Sequence, residues 1–290
     1  MHSNAIDEKA AVIETLRPYC IITSAEYLAG GLSNRCMVLQ DVEGQRYVWR
    51  PQGEGARVFG ANREHEFNTL VLGYEAGLTS KPVCVIPEGL LTAWIDGDVL
   101  DSADVETVMP LLARIHEMTP PNNTFDPFEK AQHYFAHLSD SAKTDAVTKI
   151  HTHFQRHAFQ SGLTLTMCHY DLGCYNLIKT PNGQLSVIDW EYAALGDPAL
   201  DIVMTAFAND INLSSAVNHY CAHRRIDDVV HWMDMCEKWV PVAKYLGLLW
   251  FLLGYELYGL ALYKERADTY LHELENLMRG DKRVDKKTQR

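Results

Sequence analysis

Cys168-His-Tyr-Asp-Leu-Gly-Cys-Tyr-Asn176 and, one short hairpin later, Val187-Ile-Asp-Trp-Glu191 are the stretches on which the reading of this chain turns. They set a carboxylate, Asp171, shortly before a side-chain amide, Asn176, and return a second carboxylate, Asp189, at the end of an apolar strand. Phosphoryl transfer needs a carboxylate beside the attacking hydroxyl and hard oxygen ligands for the Mg²⁺ ions that neutralise a triphosphate. Asp171 suits the first task, Asn176 and Asp189 the second. Leu177–Lys179 and Leu185–Ile188 read as short strands around a Pro181-Asn-Gly183 turn, which brings Asp189 back beside Asn176.

Working outward, the first third of the chain is strand-rich. Ile21–Tyr27, Arg35–Gln40 and Gln45–Arg50 carry β-branched and aromatic residues, with Asp41-Val-Glu-Gly44 as a hairpin turn. A glycine-bearing loop precedes Asn62–Ala76, where Phe67, Leu70, Val71 and Tyr74 recur at helical spacing and Gly77 closes the helix. Strands follow near Val83–Ile86 and Gly89–Ile95. Beyond Asp98 the pattern predicts helices over Asp104–Met118, Pro127–Asp140, Thr144–Gln160, Ala199–Asn209, Ser215–His223, Asp228–Trp239 and Val240–Tyr263, with a polar, frayed tail from Arg279 to Arg290. The expected class is α+β and bilobal, with a protein-kinase-like outline. Residues 1–96 form a small β-rich N-lobe with one helix, and residues 97–290 a large, mainly helical C-lobe carrying the catalytic and metal-binding loops.

Composition narrows the classes. A net charge of −12 over 290 residues speaks against a nucleic-acid partner, which calls for a basic patch, and is compatible with a cationic substrate. Seven cysteines without a CxxC pair do not form a disulfide framework and suit a reducing, cytoplasmic compartment. The N-terminus has charges where a signal peptide needs an apolar run. The uncharged centre of the most apolar segment, Tyr245–Tyr255, is shorter than the roughly 20 residues that span a bilayer, so a buried helix is expected and no membrane partner. His151, His153 and His157 share one predicted helix without a supporting carboxylate or cysteine pattern and read as a solvated polar face.

Six pieces in fixed order resemble the aminoglycoside phosphotransferase/choline kinase family, in the group of choline/ethanolamine kinases and thiamine kinase. They are Gly-Gly-Leu-Ser-Asn at 30–34, Tyr-Val-Trp-Arg at 47–50, Asn-Arg-Glu-His-Glu at 62–66, Cys-His-Tyr-Asp at 168–171, Ile-Asp-Trp-Glu-Tyr-Ala at 188–193 and Gly-Asp-Pro-Ala-Leu-Asp at 196–201. The resemblance implies an ATP- and Mg²⁺-dependent small-molecule kinase, monomeric or homodimeric. In it Asp171 is the catalytic base, Asn176 and Asp189 hold metal, and His169, Asp197 and Asp201 support the loop. Gly30, Gly31, Ser33 and Asn34 would cradle phosphates through backbone N–H groups. Arg50, where protein kinases carry lysine, would clamp the phosphates with Glu66 as its partner; Glu64 is the competing acid.

The acceptor is read from the C-lobe. A quaternary or thiazolium nitrogen offers no N–H donor, so its recognition favours aromatic faces backed by carboxylates. Trp250, Trp190, Tyr192, Glu256 and Glu191 are the candidates, and a small cationic alcohol of choline or thiamine type is the expected substrate. An aminoglycoside or other sugar, and a nucleotide-binding pseudokinase without turnover, are the alternatives.

Overall fold

In the computed structural model, which describes residues 2–28 and 36–288, the strand-forming runs of the first third assemble into one antiparallel sheet. Helix α1 (His2–Leu16) leads into β1 (Ile22–Tyr27), β2 (Met37–Asp41) and β3 (Arg46–Pro51); α2 (Glu54–Val58), α3 (Arg63–Glu75), β4 (Pro82–Ile86) and β5 (Gly89–Ala93) follow. The sheet order is β1-β2-β3-β5-β4. At the β2–β3 hairpin Asp41 Oδ1 accepts from the amides of Glu43 and Gln45, and Gly44 takes a φ of 81°, easy only without a Cβ. Met37, Leu39, Trp49 and Leu91 join Leu16 in a small core under the sheet. The sequence reading assigns no element to residues 2–16, yet α1 seals this core with a wholly buried Leu16.

The chain continues through β6 (Asp98–Val99), α4 (Val105–His116), α5 (Pro127–His137), α6 (Asp145–Arg156), β7 (Thr166–Cys168), β8 (Leu177–Lys179), β9 (Leu185–Val187), β10 (Ala194–Gly196), α7 (Pro198–Ala208), α8 (Leu213–Arg224), α9 (Val229–Tyr258) and α10 (Ala261–Thr288). Strands β6, β8 and β9 form one small sheet, and β7 pairs with β10. Most helices match expectation within a few residues, and their ends are capped by Asp104, Asp126, Thr144, Asp197 and Asn212. A second, larger core runs from Leu70, Leu78 and Leu90 into the helices, tying the N-terminal sheet to the helical region.

Three expectations are corrected. The helices placed at Asp228–Trp239 and Val240–Tyr263 are one, α9, which passes through Pro241 and ends at Gly259 with a φ of 66°. Proline removes one backbone hydrogen bond, but buried Trp239, Val242 and Ala243 on either side hold the helix together. By length and composition α9 could cross a bilayer; here it packs against α5, α7, α8 and α10. The tail expected to fray from Arg279 continues α10 to Thr288. His151 is not solvated: it is buried, stacks on Phe135 at 3.8 Å between ring centroids and bonds Tyr245 Oη and Gln132 Oε1.

Candidate active site

The loop after β7 is held from behind by α7. Asp201, fully buried on the first turn of that helix, accepts the main-chain N–H of His169 at 2.7 Å and of Tyr170 at 2.8 Å. Its Oδ2 also lies 3.1 Å from His116 Nε2, whose other ring nitrogen meets Tyr220 Oη at 2.7 Å. Helix α7 begins where Asp-Pro predicts: Asp197 accepts from Ala199 N at 2.9 Å and Pro198 opens the first turn. Tyr170 sits at φ 64°, a left-handed conformation costly for a bulky residue. The Asp201 bonds and stacking on Phe125 at 4.2 Å hold it there. His169 is buried edge-on against Trp190, its Nδ1 accepts from Asp171 N at 3.3 Å, and burial pulls its pKa down. Asp201 and His169 thus contact the loop directly, while the Asp197 carboxylate caps α7 and accepts from Ser161 Oγ.

Asp171 emerges from this brace. Tyr175 Oη donates to its Oδ1 at 2.6 Å, and Asn176 Nδ2 donates to its Oδ2 at 3.0 Å. Burial, then the charges of Asp189 and Glu191, push its pKa up to about 8, against the pull of those two hydrogen bonds. A carboxyl with a pKa in this range exchanges protons near neutral pH. The β8–β9 hairpin closes on the loop through Ile188 N to Asn176 O at 3.0 Å, and Asp189 follows at φ 61°. Asn176 commits its Nδ2 to Asp171 O and Oδ2, which leaves Oδ1 as its remaining side-chain acceptor. Two oxygen donors, Asn176 Oδ1 and the Asp189 carboxylate, thus lie near the Asp171 carboxyl.

Arg50 reaches this point from β3. Its Nε lies 2.8 Å from Glu66 Oε1, a close ion pair too bent for a straight hydrogen bond. Its Nη2 bonds Asp189 and lies 3.2 Å from Glu191 Oε2. Glu66 is therefore the partner of Arg50. Glu64 instead sits exposed at the α3 N-terminus, where Asn62 Oδ1 accepts its N–H at 2.9 Å. Arg63, which sequence reasoning missed, bridges Glu66 and, at 3.1 Å, Glu191 Oε2. Burial would lower the Arg50 pKa, but Asp189, Glu66 and Glu191 hold it well above its ordinary value. For Glu191, burial and then Asp189 push the pKa up while the arginines pull it down.

The remaining sequence candidates divide. Gly30, Gly31, Ser33 and Asn34 lie outside the described residues. Tyr192 and Trp250 come together, with Trp250 Nε1 donating to Tyr192 Oη at 3.1 Å, and Phe59 packs on Trp250 at 5.2 Å. Glu191 and Tyr192 line an open cleft of about 1120 Å³ with Asn62, Glu64, Lys130 and His133. Trp190 is a correction: it is wholly buried, donates to Val187 O at 3.0 Å and packs over Gly73, so it is core and out of reach of a substrate. Glu256 is another. Its carboxylate accepts from Ser139 N at 3.2 Å and from Ser139 Oγ, tying α9 to the turn after α5 rather than facing Asp171. Tyr175, inside the 168–176 loop, and Lys130, in the Asp126-Pro-Phe-Glu-Lys130 stretch that opens α5, were not named as site residues.

The family model for choline/ethanolamine kinase matches residues 25–246. Thiamine kinase of Escherichia coli strain K12 is 25% identical over 231 residues, covering 76% of this chain and 79% of that protein. The crystal structure of choline kinase LicA from Streptococcus pneumoniae superposes with a TM-score of 0.75 at 20% identity, over 95% of this chain and 100% of that one. A LicA structure in complex with AMP gives 0.71 at 21% identity, over 93% and 98%.

Proposed function

The chain belongs to the choline/ethanolamine kinase family and is a small-molecule kinase, and from that premise we propose that it transfers the γ-phosphoryl group of ATP to the hydroxyl of a small cationic alcohol, of choline or thiamine type. The observation that carries this reading is Asp171, a carboxylate with its pKa raised to about 8 and oxygen donors from Asn176 and Asp189 beside it. Asp171 accepts the proton of the acceptor hydroxyl as its oxygen bonds to phosphorus, and ADP leaves with the electrons of the broken bond. Tyr175 and Asn176 orient the Asp171 oxygens toward that hydroxyl.

An oxygen-only donor set fits a hard cation. Asn176 and Asp189 would hold Mg²⁺, which when bound neutralises phosphate charge. Arg50, braced by Glu66, would meet phosphate oxygens by exchanging for them the Nη2 contacts it makes to Asp189 and Glu191. Residues 1–96 would serve as the nucleotide lobe, with Gly30, Gly31, Ser33 and Asn34 in its phosphate loop, and 97–290 as the catalytic lobe. A nucleotide partner is consistent with the AMP complex of the related fold. For the acceptor, Tyr192, whose hydroxyl accepts from Trp250, and Tyr134, whose ring shares Lys130 with that of Tyr192, would provide aromatic faces. A cytoplasmic setting accords with seven free cysteines.

The test is Mg-ATP turnover against choline, ethanolamine, thiamine and aminoglycosides, with Asp171→Asn as control. Phosphorylation of a cationic alcohol, lost by a factor of about 10² to 10⁴ in the variant while ATP still binds, is expected. ATP binding without phosphorylation of any alcohol would overturn the reading.

A further inference from the structure

Lys130 lies in the first turns of α5, after the N-cap Asp126. Its Nζ stands 5.1 Å from the ring centroid of Tyr192 and 5.4 Å from that of Tyr134, inside cation–π range of both. It donates to the main-chain carbonyl of Gly60 at 3.2 Å, its one protein acceptor among the described residues. Among those residues no carboxylate lies within ion-pair reach of it. Glu191, the acid whose charge it feels, has Oε2 against Arg50 and Arg63 instead. An ammonium has three donors, and the residue lines the open cleft beside Glu191 and Tyr192. Burial, opposed by Glu191, pulls its pKa down to about 8, the mark of a poorly hydrated cation.

The same rings are those a cationic acceptor would use. Tyr192 carries Trp250 on its hydroxyl, and Phe59 joins Tyr134 at 6.2 Å to Trp250 at 5.2 Å, so the aromatic wall is continuous. Two unit positive charges held against one ring face repel each other. We propose that Lys130 is a specificity-determining residue that occupies the Tyr134 and Tyr192 faces as a resident cation, so that an alcohol with a fixed positive charge binds only by displacing it. The inference rests on the reading of these rings as the acceptor site of the kinase. It predicts that the protein discriminates poorly between choline and its uncharged carbon isostere, 3,3-dimethylbutan-1-ol, although the rings alone would favour choline.

The experiment compares wild type, Lys130→Met, which keeps length without charge, and Lys130→Arg, which keeps the charge. Dissociation constants for choline and 3,3-dimethylbutan-1-ol are measured by calorimetry, and KM and kcat for both alcohols with Mg-ATP. Lys130→Met is expected to bind choline roughly tenfold more tightly while the isostere changes by less than about twofold. Lys130→Arg is expected to leave the choline-to-isostere ratio near that of wild type. If Lys130→Met melts far below wild type, Lys130→Gln supplies the uncharged variant.

A lysine that merely ties α5 to Gly60 would move both ligands together. That result, weaker choline binding in the uncharged variant, or no binding of either ligand to any variant overturns the proposal. Turnover with an unchanged choline-to-isostere ratio also removes the resident cation but leaves the kinase reading standing. The predicted shift in binding without phosphorylation of either alcohol removes the acceptor assignment and leaves the resident cation.

Discussion

Replacing Tyr175 with phenylalanine deletes the hydroxyl that donates to Asp171 at 2.6 Å and leaves the ring in place. That hydrogen bond is one of two holding down the pKa of a carboxyl that burial, Asp189 and Glu191 push up to about 8. A hydrogen bond to a charged acceptor contributes about 1.5–3 kcal/mol, and one pKa unit corresponds to about 1.4 kcal/mol. Tyr175 is 49% exposed, so water can take over part of the vacated position and the smaller end of that range applies. The pKa should rise by about one unit, so that on the acid side of the limb the ionised fraction falls about tenfold. The expected result is a roughly tenfold loss of kcat/KM on that acid side, a limb displaced upward by about one unit, and an unchanged plateau at high pH. Initial rates of ADP release from pH 6 to 10, with the alcohol below saturation, read this directly. The displacement between wild type and variant is the measured quantity, because bound metal moves both limbs alike. A limb that stays put or moves to lower pH would refute the assignment of Asp171 as the base tuned by Tyr175.

Other substitutions probe the supports. Asp171→Asn should raise the melting temperature relative to wild type, and more at pH 8 than at pH 5. A carboxyl whose folded pKa exceeds its unfolded value favours folding below the unfolded pKa and loses that contribution as pH rises toward about 8; a variant melting lower at pH 8 would contradict the sign. Asp201→Asn places an amide where two buried main-chain N–H groups need acceptors and should cost about 2–4 kcal/mol in urea denaturation. An unchanged midpoint would show that the brace is dispensable. Gly196→Ala would drive a Cβ into the buried Tyr170 Oη, so a loss of about 1–3 kcal/mol and a fall in kcat are expected. Full activity in that variant would mean that Tyr170 can move without disturbing the loop.

What the sequence makes legible here is local. Asp171, Asn176 and Asp189 are linked by one loop and one hairpin, and Asp197-Pro198 announces a helix start within two residues. Glu66 could be preferred to Glu64 from a family pattern, and the structure gives the physical reason: residues 64 and 66 lie on different faces of α3, and only the second faces Arg50. Arg63, one turn before Glu66, is drawn inward by acids from distant segments, a pairing that spacing along the chain does not reveal. Trp190 and Glu256 mislead for a related reason. An aromatic beside a catalytic carboxylate and an acid on an aromatic helix look like ligands until packing against Gly73 and Ser139 is known. The break assumed near Trp239 comes from the local penalty of Pro241, which the burial of neighbouring side chains outweighs.

The link from Asp201 through His116 to Tyr220 has a consequence for how the protein fails on heating. The catalytic loop hangs from α7, α7 is joined to α4 through His116, and that histidine is joined to α8 through Tyr220. Asp171 follows directly on Tyr170, whose main chain Asp201 holds, so loosening any of these helices misaligns Asp171. Inactivation and global unfolding should therefore be a single cooperative event, with no temperature window in which a folded but idle enzyme accumulates.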